Sequence, residues 1–593
     1  MTDQLTATAI DNFDAKAGPP KTSLKDFWPH LRDHRFAIVI VAVVSLAATV
    51  LTVAQPLVVR GMIDAVGASE ALGPWVAVLV GVTLGEALLR GLQSFALQRT
   101  GEAVILGLRK SLIARILRLP MHQYDHRPKG DFISRMGADT GVVRSIVTSG
   151  LFDFISAILM FLAAVVLMVM LDPFLFAITV GSVIVGAVGV TFVGKAIRVI
   201  SQRTQEEVSA MTSLVERALA SIRLIRASDA TAHEEKRVGA AAARAYDAGV
   251  AMARLQATVQ PLMSICIQGA FIVVLALGGI RVAGGQMSIG ELMAFILYLF
   301  LLVMPVTQAM GAFTQIQAGL AAFDRIAEII ALPIEEDPAG IPLRHQHQTA
   351  GAPLLAFDNV SFGYSAAHPT LDDVTFRIAP GSRVAIVGPS GAGKSTLLAL
   401  IERFYIPDSG AITYQGCNVR ELGMSDYRNS IGYLEQNAPA LGGTIGDNLR
   451  LGKRDATAAE MEAVLAQVQL TEVVARSALG LETQVGDSGG LLSGGERQRL
   501  SWARVLLGQQ RVLLFDEPTS SVDSTTEKAL LSALEGVSSE RTLIVVAHRL
   551  STVVASDQII VLKDGRVDAI GTHGELLANS ALYADLARNQ LLT

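Results

Sequence analysis

Six separate stretches of this chain are long and apolar enough to cross a lipid bilayer, and that constrains its fold more than any other feature. A helix needs about 20 mostly apolar residues to pass roughly 30 Å of hydrocarbon. Residues 36–58, 74–97, 147–171, 173–193, 259–282 and 289–313 each meet that requirement. Hydrocarbon offers no partner to backbone N–H and C=O groups, so each stretch is expected to close its own hydrogen bonds as a helix. Composition agrees: 51% of the 593 residues are hydrophobic and 17% charged, against about 25% charged in an ordinary soluble domain. A net charge of −5 gives no reason to expect a nucleic-acid partner.

The loops between the stretches alternate in length and charge. Those at 59–73, 172 and 283–288 are short, the first with Arg60 as its one basic residue. The loop at 98–146 carries Arg99, Arg109, Lys110, Arg115, Arg118, Arg127, Lys129, Arg135 and Arg144, and 195–258 is similarly basic. Excess Lys and Arg stay on the cytoplasmic side. Both long loops and both termini are therefore expected in the cytoplasm of a multi-pass protein of the cytoplasmic membrane. Apolar residues recur at helical spacing in 104–119 and 208–225, so the spans should run on into the cytoplasm as two hairpins. Breaks are expected at Gly130–Asp131 and near 220–227. Residues 1–20 read as a disordered tail, and 21–35, with Phe27 and Trp28 among basic residues, as a surface amphipathic helix. Cys266 and Cys417 read as ordinary small side chains, not a disulfide or metal framework.

A polar linker at 333–353 introduces a domain of different character over 354–593. There the short buried strand 383–387 leads into Gly388, Pro389, Ser390, Gly391, Ala392, Gly393, Lys394 and Ser395, followed by Thr396 and a helix. Strand, glycine loop and helix in that order form a phosphate cradle. Backbone N–H groups and the helix N-terminus face the phosphates, Lys394 reaches the outer ones, and the Ser395 hydroxyl suits Mg²⁺. Farther on, a second buried strand, 512–515, ends in Asp516 and Glu517. The first can hold the metal, and the second can polarise the attacking water of ATP hydrolysis. Between them, Leu492, Ser493, Gly494, Gly495 and Glu496 open a helix at another anion-ready N-terminus.

That last motif resembles the signature of ATP-binding cassette (ABC) proteins, and the whole chain is similar to the exporter-type half-transporters of that family. The fold class implied is multidomain: an all-α six-helix membrane domain, then an α/β P-loop ATPase with an antiparallel β subdomain and a helical signature subdomain. The resemblance implies that Tyr364 stacks on adenine and that Gln436 contacts Mg²⁺ and the membrane domain. It implies that His548 senses the γ-phosphate and that Ser520 and Asp523 belong to the loop reaching the opposite site. Ser520–Asp523 departs from the usual Ser-Ala-Leu-Asp, and Asp487 stands where exporters more often have glutamate. Residues 130–139 and 216–227 resemble the two coupling regions.

The family pattern further implies ATP and Mg²⁺ as ligands and a site shared by two chains, the signature of one facing the phosphate loop of the other. An intact catalytic set favours a homodimer, with a heterodimer of related half-transporters as the alternative. The expected cargo is a hydrophobic or amphipathic molecule, drug-like or lipid, moved by alternating access. A siderophore-like importer and an ATP-gated channel or regulatory subunit remain as alternatives. Candidate cavity residues are Glu86 and Arg90, one helical turn apart, with Asp153, Gln268, Gln308 and Gln315. For Glu86 and Arg90 a self-neutralising structural pair is the competing reading, because charge in a bilayer centre is costly.

Overall fold

The computed structural model describes residues 35–335, 337, 352–365, 368–518, 530, 541–547 and 549–589; within these, the side chains of 147, 182–183, 185–195, 198, 259–260, 262–263, 266 and 550–551 are not described. The chain divides into two compact units. One holds 1–117 and 129–332, and the other 118–128 and 333–593.

Among the described residues the first unit is helical: α1 (Arg35–Gly67), α2 (Gly73–Ile116), α4 (Lys129–Ser134), α5 (Thr140–Ser145), α6 (Leu151–Leu171), α7 (Pro173–Ala220), α8 (Ile222–Ala227), α9 (Thr231–Ala283) and α10 (Ile289–Ala331), with α3 (Met121–His126) assigned to the second unit. Among the described residues, α1, α2, the run 129–171 and α10 are long and apolar enough to cross a membrane. The fourth and fifth expected spans lie within α7 and α9, of 48 and 53 residues. Helices of 44, 48, 53 and 43 residues exceed what a bilayer needs, as the periodicity in the long loops anticipates. α7 packs along α9, while α1, α2, α6 and α10 pack with one another. Leu84, Leu88 and Phe95 stay exposed on α2, as side chains facing hydrocarbon do.

Tight turns close this unit. Asp172, 4% exposed, caps α7 by accepting from the Phe174 and Leu175 amides at 2.9 and 3.0 Å, and the Arg281 guanidinium lies 2.8 Å away. Two π turns, Arg135–Asp139 and Ile146–Gly150, interrupt the run between α4 and α6. The second presses on α10 so closely that a Cβ added at Gly319 would fall 2.2 Å from Ile146 Cγ1.

The break in the second long loop differs from the expected one. Residues 130 and 131 lie inside α4, and the chain breaks on either side of α3. Pro120 is extended (ψ 149°), as is Arg127 ahead of Pro128 (ψ 133°). Proline disfavours helix in the residue before it, which explains the second break. It is α3 that joins the second unit, while Asp131, Arg135 and Asp139 bind within the first. Arg135 meets Asp131 and Glu328 at 2.9 Å each, and Arg325 pairs with Asp139 at 2.5 Å. The break near 220–227 falls where expected, with Ser221 separating α7 from α8.

The second unit contains two sheets. β1 (Leu355–Phe362), β2 (Leu371–Ile378), β4 (Ser409–Tyr414) and β5 (Cys417–Asn418) form an antiparallel sheet in the order β2-β1-β4-β5. β3 (Arg383–Val387), β6 (Ile431–Leu434), β7 (Val512–Asp516), β8 (Thr542–Val546), β9 (Gln558–Lys563) and β10 (Arg566–Gly571) form a mostly parallel sheet, ordered β10-β9-β3-β8-β7-β6. Strands β3, β7, β8 and β9 are near-continuous apolar runs because both faces are covered. Val384 and Ile386 of β3, with Leu514 and Ile544, enter one core together with Leu397 and Ile401 of helix α11 (Lys394–Ile401). Ala385 and Val387, with Phe515 and Val545, enter the other with Leu500 and Trp502 of helix α12 (Gly494–Leu507). The two helices that open at the glycine motifs thus cover opposite faces of one sheet.

Candidate nucleotide site

The strand order places the expected chemistry. β3, which feeds the phosphate loop, pairs with β8, and β8 pairs with β7. Val546 at the end of β8 lies opposite both Ile386 and Asp516, so the loop leaving β8 emerges between the glycine loop and Glu517. Ligands of such sheets bind beyond the carboxyl ends of the strands. His548 follows Ala547 in the sequence and, with Ser520 and Asp523, lies outside the described residues.

The glycine loop needs its glycines where φ turns positive, at Gly391 (+82°) and Gly393 (+96°), the latter the cap of α11. Lys394 is buried and donates to the carbonyls of Gly388 and Pro389 at 2.8 and 2.9 Å, a geometry that curls the loop around its own ammonium. Burial lowers the Lys394 pKa, and the nearby Glu517 and Asp516 carboxylates oppose that shift. Ser395 and Thr396 follow on the first turn of α11.

Asp516 closes β7 with 6% exposure, and Glu517 follows in a left-handed conformation (φ +49°). Its amide donates to the Val546 carbonyl at 3.1 Å, which turns the side chain out of the strand. There it accepts from the Gln436 side-chain amide at 2.7 Å. Gln436 arrives because β6 runs parallel to β7, bringing both strand ends to the same edge. The sequence expectations for Lys394, Asp516, Glu517 and Gln436 therefore converge on one edge of one sheet.

The signature residues form a capping box. Ser493 Oγ accepts from the Glu496 amide at 3.3 Å, and Glu496 accepts from the Ser493 amide at 2.8 Å. The second oxygen of Glu496 takes Arg476 at 2.6 Å. The Ser493 backbone bond and the Arg476 guanidinium hold this carboxyl below the usual range, with burial opposing them. Glu496 is thus occupied in shaping the motif, while Ser493 and Gly494 stay exposed. Leu492 and Gly495 are half-buried. Two residues beyond the sequence motifs complete the joint. Gln498 and Trp502 of α12 both donate to the Pro518 carbonyl, at 2.7 and 3.0 Å, and so tie α12 to the end of β7.

Tyr364 is 50% exposed, with its hydroxyl 3.3 Å from Thr396 Oγ1, and its ring stands edge-on to Phe362 and Tyr405 at 5.1 and 5.2 Å. One face is thereby available for a planar base.

In the helical unit, Glu86 accepts from Thr52 at 2.8 Å, Gln55 at 2.6 Å and Arg90 at 2.7 Å. Arg90, 54% exposed, also reaches Thr52 at 3.2 Å and is within electrostatic reach of Asp153. Gln268 and Gln308 are exposed without joining this cluster, and Gln315 binds the Ser149 hydroxyl at 2.6 Å.

A bundle of membrane-length helices joined to a P-loop domain with a capped glycine signature defines a multi-pass membrane ATPase. Residues 38–306 match the ABC transporter transmembrane region, and 371–520 match the ABC transporter family. The chain is 33% identical to the ATP-dependent lipid A-core flippase of Cupriavidus metallidurans, covering 98% of this chain and 99% of that one. It is 32% identical to the mitochondrial potassium channel ATP-binding subunit of Rattus norvegicus, covering 98% and 84%. Among solved structures, a bacterial Atm1-family ABC exporter with ATP bound superposes with a TM-score of 0.77 at 28% identity, covering 93% of this chain and 98% of that chain. The chain belongs to the ABC transporter family, in its exporter branch, and binds ATP whose hydrolysis is coupled to transport.

Proposed function

We propose that this chain is half of a two-chain exporter carrying an amphipathic or hydrophobic molecule, lipid or drug-like, with ATP hydrolysed by Glu517. The convergence of Lys394, Asp516, Glu517 and Gln436 on one sheet edge carries this reading. ATP stacks its base on Tyr364 and lays its phosphates in the loop 388–396. Glu517 accepts a proton from the attacking water, Gln436 orients the Glu517 carboxylate, and His548 reads the terminal phosphate. The oxygens of Ser395, Asp516 and Gln436 fit a hard cation, and Asp516 is buried as a committed ligand would be. Bound Mg²⁺ supplies charge neutralisation of the phosphates.

α11 and α12 cover opposite faces of the sheet, which supports a nucleotide held between the phosphate loop of one chain and residues 492–496 of a second. Ser520 and Asp523 belong to the same interface. The complete catalytic set favours a homodimer. The basic loops support a cytoplasmic side for the ATPase domain and both termini, in a protein of the cytoplasmic membrane. For cargo, the lipid flippase among the relatives and the half-exposed Arg90 favour an amphipathic molecule with an anionic head. Gln55, Thr52 and Arg90 fix Glu86, so that carboxylate serves to orient Arg90. Asp153, Gln268 and Gln308 are proposed as weaker contributors to the same cavity.

The test is reconstitution in proteoliposomes with a panel of lipids and drugs, following ATPase stimulation and movement across the bilayer. Stimulation by an amphipathic anion that Arg90→Ala abolishes supports the reading, and ATPase without movement of any compound overturns it. The potassium-channel relatives give a second reading, an ATP-binding channel subunit. Potassium conductance in planar bilayers would establish it.

A further inference from the structure

Tyr405 follows α11 by four residues and belongs to none of the nucleotide motifs. Its ring meets Tyr364 edge-on, with centroids 5.2 Å apart and planes at 88°, and Phe362 at 5.3 Å. Its hydroxyl donates to the carboxylate of Asp125 on α3. Burial and that carboxylate both raise the Tyr405 pKa, so the phenol remains protonated and keeps donating. The Tyr364 turn is fixed from behind, because the Gly363 amide donates to Asp408 at 2.9 Å. A second tie fastens the start of the segment 118–128, where the Glu335 amide donates to the Arg118 carbonyl at 2.7 Å. Covalently, α3 lies between α2 and α4, both of the membrane unit.

From this chain of contacts we propose that Tyr405 is a positioning residue that passes occupancy of the adenine platform to α3. The proposal rests on the reading of Tyr364 as that platform. A base stacked on Tyr364 fixes its ring plane. Aromatic pairs in edge-to-face contact hold their mutual orientation, so the Tyr405 ring settles with it. The hydroxyl bond to Asp125 is charge-assisted and therefore short and directional, so α3 follows the ring. The route begins at the base and bypasses Gln436. Its prediction is that an adenine nucleotide moves α3 and that the triphosphate alone does not.

The test measures hydrogen–deuterium exchange of 118–134 in the full chain in lipid nanodiscs. Ligands are the non-hydrolysable analogue AMP-PNP or inorganic tripolyphosphate, each with Mg²⁺. In the wild type AMP-PNP should slow exchange about fivefold or more, and tripolyphosphate should leave it unchanged. Tyr405→Phe keeps the ring and loses the donor. It should bind the nucleotide within about threefold of wild type while losing the response of 118–134. Asp125→Ala, on an exposed helix face, should do the same. Asp125→Asn retains an acceptor and should restore the response, an outcome that mere structural support would not give. A full response in Tyr405→Phe and Asp125→Ala overturns the relay, as does an equal response to tripolyphosphate. A wild type that binds ATP but shows no response at 118–134 also overturns it, leaving the ATPase reading intact. Failure of the wild type to bind nucleotide overturns both.

Discussion

The side-chain amide of Gln436 donates to the carboxylate of Glu517 at 2.7 Å, linking two residues 81 positions apart at the ends of neighbouring parallel strands. Glu517 reaches it from a left-handed backbone that its own amide locks to Val546. The neutral donor fixes the direction of that carboxylate, which is what a proton acceptor requires.

Replacing Glu517 by Gln keeps the shape and removes the basicity. The variant should bind TNP-ATP as the wild type does, while phosphate release falls by roughly 10²–10⁴-fold. Hydrolysis near the wild-type rate would remove Glu517 from the role.

Glu402, at the end of α11, has a buried carboxyl oxygen without a hydrogen-bond partner, and burial pushes its pKa up to about 8, with Arg428 opposing. The folded chain therefore holds a proton between the ordinary 4.5 and about 8 that the unfolded chain has lost. Stability should fall as pH rises through that window and level off above it. Glu402→Gln should flatten the profile and melt higher than wild type at about pH 8.5, with the gap, on the order of a few kcal/mol, closing towards pH 5. Trp502 fluorescence in a background lacking Trp28 and Trp75 reports the transition.

Gly319 on α10 has no room for a methyl group, because Ile146 Cγ1 would sit 2.2 Å from it. Alanine ordinarily favours a helix by about 1 kcal/mol over glycine. Gly319→Ala should nevertheless destabilise by about 1–3 kcal/mol, since Ile146 is buried in a π turn and cannot swing aside. Gly311→Ala, with nothing within 4 Å, is the control and should be neutral or stabilising in detergent melts.

Gln498 is 1% exposed and donates to the Pro518 carbonyl. Gln498→Leu removes that bond and should cost about 1–3 kcal/mol of stability. ATPase activity should drop several-fold with TNP-ATP affinity unchanged. A loss of affinity alone would argue against a link between α12 and the end of β7.

The spans and the glycine loop were legible because their signals are local: apolar length, loop charge, and a glycine run between strand and helix. Contacts between distant residues were not. Nothing in the stretch around Tyr405 says that its hydroxyl finds Asp125, 280 positions away. Nothing in the sequence around Gln498 and Trp502 says that both grip the Pro518 carbonyl at the end of β7. Glu496 sits in the signature motif, and only the capping geometry shows both its oxygens occupied. The break in this loop falls at the two prolines and not at Gly130–Asp131. Leu119-Pro120 and Arg127-Pro128 were the readable signals, since proline restricts its predecessor more sharply than a helical glycine loosens its own position.

The tie from Gln498 and Trp502 to Pro518 makes α12 and the end of β7 one rod. In a two-chain exporter the tip of that rod at Ser493 would serve the partner's nucleotide, and its other end, Asp516 and Glu517, the chain's own. Each protomer would then work as a seesaw: seating one nucleotide sets the angle at which the protomer meets the other, so the two catalytic events cannot be timed independently.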